Sequence, residues 1–290
     1  MVQATGQGKQ QLSQKREFPL PRSPAKVRAM IRLIALMAAL VAPTVATSQE
    51  MSRMRLLPGW EMPDGNRMIG VEIDLDPGWK TYWRAPGAGG IPPMFDWTGS
   101  QNLAAATIHW PRPEVQESYG MTTLGYSDRV VFPVELTPQT PGGPIDVALA
   151  LSYGVCEDIC IPAHATAEMP AESAADSTTV QAIENALAAR PLTTDGAGIQ
   201  SASCQQSAET VTASFRFAGE APAAPFSVFE TGSEETFLTP VSTQADGYAL
   251  TITAALDHYG KGAPDVDLGN LRITLLTADS AIDIRGCPAG

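Results

Sequence analysis

Near the middle of the chain, Ile145, Val147, Leu149 and Leu151 alternate with Asp146, Ala148, Ala150 and Ser152. The run leads through Tyr153–Gly154–Val155 into Cys156, Glu157, Asp158, Ile159, Cys160, Ile161 and Pro162. A period of two is the pattern of a half-buried strand, because successive strand side chains point to opposite faces. Pro162 removes a backbone donor and discourages a helix through Cys160. The two cysteines therefore fall on a strand–turn–strand unit, with Gly154 expected to start the turn and the thiols facing each other across it. Opposed residues of a non-hydrogen-bonded antiparallel pair have Cα atoms about 4.5 Å apart, a separation that suits a disulfide.

A bond closing so short a loop removes little chain entropy, since the gain grows with the logarithm of loop length. A pair that stabilises so little is better explained by redox chemistry than by stapling, although the hairpin staple remains the alternative on this stretch alone. Glu157 and Asp158 lie between the thiols, and nearby negative charge disfavours a thiolate. A third reading groups Cys156, Cys160 and His164 as a thiolate/imidazole metal site, with Met169 as a soft extra ligand for Cu(I). Extended chain spreads these residues over roughly 26 Å, so only the turn brings the cysteines together.

The compartment follows from the N-terminus. Residues 1–32 carry seven Lys/Arg and one acid, Glu17, and Leu33 to Ala42 is an apolar run closed by Pro43, with Thr44–Val45–Ala46 as a small-residue cleavage site. This is the layout of a signal peptide over residues 1–46, and the apolar run falls short of the roughly 20 residues of a membrane span. Met30 is an alternative start, and an uncleaved N-terminal anchor is the other reading of the segment. An exported protein meets an oxidising compartment. Without residues 1–46 the chain keeps 12 Lys/Arg against 30 Asp/Glu, an acidic balance that argues against nucleic acid or anionic membrane as a partner.

Short apolar runs recur at Met68–Leu75, Trp79–Arg84, Pro93–Trp97, Leu103–Trp110, Val130–Leu136, Ile145–Tyr153 and Cys160–Met169, separated by Gly- and Pro-rich punctuation. Such spacing predicts an antiparallel β-sandwich. A helix is predicted over Thr178–Arg190, with Val180, Ile183 and Leu187 on one face, Asp176 or Ser177 as cap and Pro191 as stop. Further strands are expected at Glu209–Ala218, Phe226–Glu230, Phe237–Ala245, Tyr248–Leu256, Leu271–Ala278 and Ala281–Gly286. The fold class is thus all-β: one sandwich over 47–172, a helical linker over 173–197 and a second, smaller sandwich over 198–290. Cys204 and Cys287 bracket the second block, and pairing 156–160 with 204–287 is preferred among the three connectivities. A free or interchain Cys204 or Cys287 stays open.

Three stretches, taken together, carry a resemblance. Pro77–Gly78–Trp79–Lys80–Thr81–Tyr82–Trp83–Arg84 is the first. Trp110–Pro111 through Glu117–Ser118–Tyr119–Gly120 to Tyr126–Ser127–Asp128–Arg129 and Val134 is the second, and Tyr153–Gly154–Val155–Cys156 to Cys160–Ile161–Pro162 is the third. Over roughly residues 67–170 they resemble the N-terminal periplasmic domain of the thiol:disulfide interchange protein DsbD family. The short CxxxC spacing followed by Ile–Pro is closer to its copper-sensitivity suppressor branch, ScsB.

The resemblance implies an immunoglobulin-like domain. It also implies that the domain takes electrons from a membrane-embedded transporter or its thioredoxin-like domain and passes them to exported thiol proteins. By the same analogy Cys160 forms the mixed disulfide and Cys156 resolves it. Tyr82 is expected to line the site. Ser118 stands where the family has a shielding aromatic residue, so by the resemblance the shield is either weakened or provided instead by Tyr119 or Met121. Family members continue into a membrane segment and a thioredoxin-like domain, so the electron donor is expected on a separate chain.

A non-catalytic copper-handling or protein-binding module with a permanent hairpin disulfide is the alternative from another class. His109 and His258 are expected to be structural. Trp60, Trp79, Trp83, Trp97 and Trp110 are expected in cores rather than on a sugar platform. No serine nucleophile motif, phosphate loop or zinc-type histidine pair is present, and no cofactor is implied.

Overall fold

The computed structural model describes residues 51–87, 89–118 and 120–288. The expected signal peptide, Tyr119 and the Ser118 side chain lie outside the described residues.

The first half of the described chain runs through β1 (Ser52–Glu61), β2 (Arg67–Leu75), β3 (Lys80–Gly87), β4 (Met94–Asp96), β5 (Leu103–Ile108), β6 (Glu114–Ser118), β7 (Met121–Ser127), β8 (Arg129–Pro138), β9 (Val147–Cys156) and β10 (Cys160–Met169). They form two sheets, ordered β1-β2-β8-β5 and β10-β9-β3-β7-β6, with β4 also paired to β9. Alternation builds the core between them. Ile69, Val71 and Ile73 from β2, Val130, Phe132, Val134 and Leu136 from β8, and Val147, Leu149, Leu151, Tyr153 and Val155 from β9 meet around Trp83. Trp79, Trp97 and Trp110 are partly buried against this core and Trp60 against a smaller cluster, the packing role expected of them.

The helix α1 (Ser177–Ala188) starts at Asp176, whose carboxylate accepts from the N–H groups of Thr178 and Thr179 at 2.8 Å. It is more than a connector. Ile183 is fully buried against Leu57, Met68 and Val131, so the helix covers the outer face of the β1-β2-β8-β5 sheet.

Beyond it come β11 (Leu192–Thr193), β12 (Ile199–Gln206), β13 (Thr210–Phe217), β14 (Phe226–Glu230), β15 (Thr236–Asp246), β16 (Ala249–His258), β17 (Arg272–Leu276) and β18 (Ala281–Arg285). They form a second sandwich with sheets β11-β18-β17-β14 and β12-β13-β16-β15 around Phe215, Leu250, Ile252, Ile273 and Ile284. Pairing is antiparallel apart from the two-residue β11–β18 contact. A Cys204–Cys287 disulfide joins β12 to the chain after β18, with both residues fully buried.

The sandwiches meet where β3 bulges. Its ladder with β7 jumps from Tyr82↔Gly125 to Gly87↔Thr123, and the looped-out chain aims Arg84 at the second sandwich. Arg84 donates from Nε and Nη2 to the two Glu230 carboxylate oxygens at 3.0 Å and lies 3.7 Å over the Trp83 ring. Asp283 and Arg272 complete the cluster, with Arg272 donating twice to Asp283 at 2.6 and 2.8 Å.

Candidate functional site

The hairpin β9–β10 carries the cysteine pair at its tip. Cys156 and Cys160 are directly opposed in the ladder and bonded, with Cα atoms 4.2 Å apart. The turn is Glu157–Asp158–Ile159, all exposed, and it starts after Cys156. Gly154 therefore does not start the turn, contrary to expectation; it lies within β9, opposite Pro162.

Its role is a close approach. A Cβ on Gly154 would sit 2.7 Å from Ile91 Cβ and 3.0 Å from the Tyr82 ring. Cross-strand partners share a face, so Lys80, Cys156 and Cys160 project from one side of the sheet. Residues two positions along, Tyr82 and Gly154, project from that same outer side, while Trp83 and Val155 point into the core. The bare glycine lets the Tyr82 ring lie across β9 towards the disulfide.

The Gly90–Ile91 segment closes over the ring. Gly90 approaches Tyr82 so closely that a Cβ there would sit 2.9 Å from it, and the Gly154 N–H donates to the Ile91 carbonyl at 3.3 Å. On the inner side, Thr81 Oγ1 donates to the Gly154 carbonyl at 2.8 Å. Tyr82 is 1% exposed, yet its hydroxyl reaches Cys160 Sγ at 2.9 Å. A disulfide sulfur has no hydrogen, so tyrosine is the donor. Burial pushes the Tyr82 hydroxyl above its ordinary range and keeps it protonated.

The two sulfurs differ in access. Cys156 is 5% exposed, whereas Cys160 is open to solvent at the start of the edge strand β10. Glu157 lies beside Gly78, where a Cβ would meet its carboxylate at 2.9 Å; the left-handed φ of +88° there also favours glycine. Met121 is half exposed, and its sulfur is the nearest atom to Gly89, so the β6–β7 tip adjoins the segment covering Tyr82.

His164 is not brought to the cysteines. It stands opposite Ser152, four ladder positions or about 13 Å along the strand, and its Nδ1 is 2.9 Å from Ser152 Oγ. His109 is held between Glu135 and Arg190, and His258 by Thr236. The cover at Gly90–Ile91 escaped sequence reading. Its one signal was the glycine-rich run Pro86–Gly87–Ala88–Gly89–Gly90 ahead of Ile91, which reads as a plain turn.

Fold and site together define an immunoglobulin-like β-sandwich with a disulfide at the tip of an edge hairpin. Residues 53–171, which make up the first sandwich, match the family described as thiol:disulfide interchange protein DsbD, N-terminal. Among solved structures, the N-terminal periplasmic domain of ScsB from Proteus mirabilis is similar at 23% identity and a TM-score of 0.68, over 84% of this chain and 96% of that one. The shared fold thus extends through both sandwiches. The reduced DsbD N-terminal domain of Neisseria meningitidis matches at 16% identity and a TM-score of 0.26, over 46% of this chain and 91% of that one. The chain matches no curated protein sequence.

Proposed function

We propose that the protein is a periplasmic thiol–disulfide exchange module. It accepts electrons from a membrane-embedded or thioredoxin-like donor and passes them to exported thiol proteins. The observation that carries this reading is the unequal setting of the two sulfurs: Cys160 exposed and hydrogen-bonded by Tyr82, Cys156 buried behind it. Among the described residues no helix is long and apolar enough to cross a membrane.

In the loading half-reaction a donor thiolate attacks Cys160 Sγ, the Cys156–Cys160 bond breaks, and Cys156 leaves with the electron pair and takes a proton from water. A second donor thiol then displaces the Cys160 thiolate, and the donor departs oxidised. In the unloading half-reaction the Cys160 thiolate attacks an acceptor disulfide and one acceptor thiolate leaves. Cys156 then attacks Cys160 Sγ, re-forms the internal disulfide and expels the second acceptor thiolate. Two electrons and two protons pass in each direction. Tyr82 donates to the Cys160 sulfur whenever it carries negative charge, and Cys156 is the resolving thiol. Residues 47–172 form the exchange module in this reading, with 173–197 as connector and 198–290 as a second module.

The test is Cys156→Ala expressed in its native compartment. Covalent partners should accumulate on Cys160, visible on non-reducing gels and by mass spectrometry, and vanish in the Cys156→Ala/Cys160→Ala protein. Recovery of none, with a wild-type disulfide inert to thioredoxin-like reductants, would sink the proposal.

A further inference from the structure

The hydrogen-bond phase of the cysteine hairpin fixes what its outer edge offers. Gly154 directs its N–H to Ile91 and its carbonyl to Thr81, both away from β10. Gly154 and Pro162 are therefore a non-hydrogen-bonded pair, and two residues on, Cys156 and Cys160 are another. By alternation, Cys160, His164, Thr166 and Glu168 point both backbone groups outward from β10, and Pro162 points its carbonyl alone.

Strand β10 is the edge of its sheet, and among the described residues none of these outward groups has a backbone partner. The neighbouring edge β1 packs alongside β10 from the facing sheet, but its ladder is with β2 and not with β10. Edges of this kind are templates for an added strand, and natural proteins blunt them with proline or charge. Here Pro162 removes a single donor and leaves the acceptors intact.

The reacting sulfur sits in that edge. A residue on an added antiparallel strand directly opposite Cys160 would form a hydrogen-bonded pair, with Cα atoms about 5.5 Å apart and side chains on one face. That separation falls within the disulfide range. The row across the sheet would then read Cys156, Cys160, incoming cysteine, with Cys160 in the middle.

We infer that the outward edge of β10 docks an extended, cysteine-bearing segment of the client polypeptide by strand addition, with the client cysteine opposite Cys160. This rests on the exchange reading above. Thiol–disulfide exchange needs the attacking, central and leaving sulfurs nearly in line, and the ladder supplies that line. When Cys156 attacks Cys160 Sγ, the Cys160–client bond breaks on the far side. The internal disulfide forms, and the client thiolate leaves with the electron pair and takes a proton from water. Glu157 is exposed beside Cys160 on an acidic protein, so the segment that fits carries Lys or Arg beside its cysteine.

The test uses Cys156→Ala protein and a short Lys-flanked peptide whose central cysteine is a mixed disulfide with thionitrobenzoate. A second peptide is N-methylated two residues before that cysteine, at the amide that would donate to the Pro162 carbonyl. Release of thionitrobenzoate should be about tenfold slower with the methylated peptide, the effect of one lost hydrogen bond and a blocked edge. In the trapped adduct of the unmodified peptide, the His164 and Thr166 amides should gain protection from hydrogen exchange. His164→Pro, which removes one outward donor, should slow the unmodified peptide by a similar factor. Equal rates for both peptides with no protection at His164 and Thr166 would overturn the inference, as would adducts of a folded thioredoxin-like protein protecting some other surface in place of the edge. A reduced protein that reacts with neither peptide nor with a small disulfide would overturn the exchange reading instead.

Discussion

Replacing Tyr82 by Phe removes one oxygen and leaves the ring that packs over Gly154. The lost contact is the 2.9 Å hydrogen bond to Cys160 Sγ. In the reduced protein the sulfur is charged when it reacts, and a hydrogen bond to a charged group contributes about 1.5–3 kcal/mol. Cys160 is solvent-exposed and water replaces part of the bond, so the low end applies, roughly a tenfold fall in thiolate at a given pH. The remaining thiolate is more basic and more nucleophilic, with a Brønsted slope near 0.4–0.5, which returns about threefold of that loss. The net expectation is alkylation about threefold slower at neutral pH, with the midpoint of the pH–rate profile moved upward. The assay is iodoacetamide alkylation of reduced Cys156→Ala protein against pH, with and without Tyr82→Phe, read by mass. An unmoved midpoint with the fold intact would refute the reasoning and leave Tyr82 as packing alone.

Three further outcomes follow from the same geometry. The two disulfides should part company under a thioredoxin-like reductant: Cys156–Cys160 opens through its exposed Cys160, whereas Cys204–Cys287, fully buried, stays closed until the second sandwich unfolds; thiol labelling with peptide mapping reads this directly. Paired Cys204→Ala and Cys287→Ala should cost about 4–5 kcal/mol in denaturant unfolding, because the bond spans 83 residues, while opening the four-residue pair should cost about half that. Gly154→Ala should cost about 1–3 kcal/mol, since its Cβ would meet Ile91 and Tyr82; an unchanged melting curve would contradict the close approach.

The interface between the sandwiches should weaken in acid. Burial alone pushes the Asp283 carboxyl up, but the hydrogen bonds and charge of Arg272, with Arg84 and Arg285 beside it, outweigh burial and hold it below the ordinary carboxylate range. A depressed folded-state value contributes stability that is present above the unfolded value, about pH 4, and is lost as pH falls through the folded one. Unfolding midpoints measured from pH 6 down to pH 2 should show this decline, and Asp283→Asn should flatten it while lowering stability at neutral pH.

Much of the fold was legible because alternation of apolar and polar residues is a local property. The runs Met68–Leu75, Cys160–Met169 and Phe226–Glu230 coincide with β2, β10 and β14 to within a residue, and Asp176 caps the helix from the position expected of it. β1, β6, β7, β11 and β12 went unread. β1 is an edge strand with Pro58 and Gly59 inside it, and its Arg53 and Arg55 face outward, so no clean period survives. β6 alternates, but its apolar residue Val115 is exposed, and no core-facing stripe marks it.

The site divides along the same line. The opposition of Cys156 and Cys160 lies in the sequence itself, because three residues between two cysteines on a strand pattern leave room for little but a tight turn. The chain's order does not show that Tyr82, 78 residues before Cys160, reaches that sulfur, nor that the Gly90–Ile91 segment folds over the Tyr82 ring. Nor does it show that Gly154 serves a close approach rather than a turn, since a glycine reads alike in both. Strand pattern is set by neighbours along the chain, whereas access to a sulfur is set by what distant strands lay across it. Only the assembled sheet, with β3 beside β9 and β10 left at the edge, decided that Cys160 is the exposed sulfur.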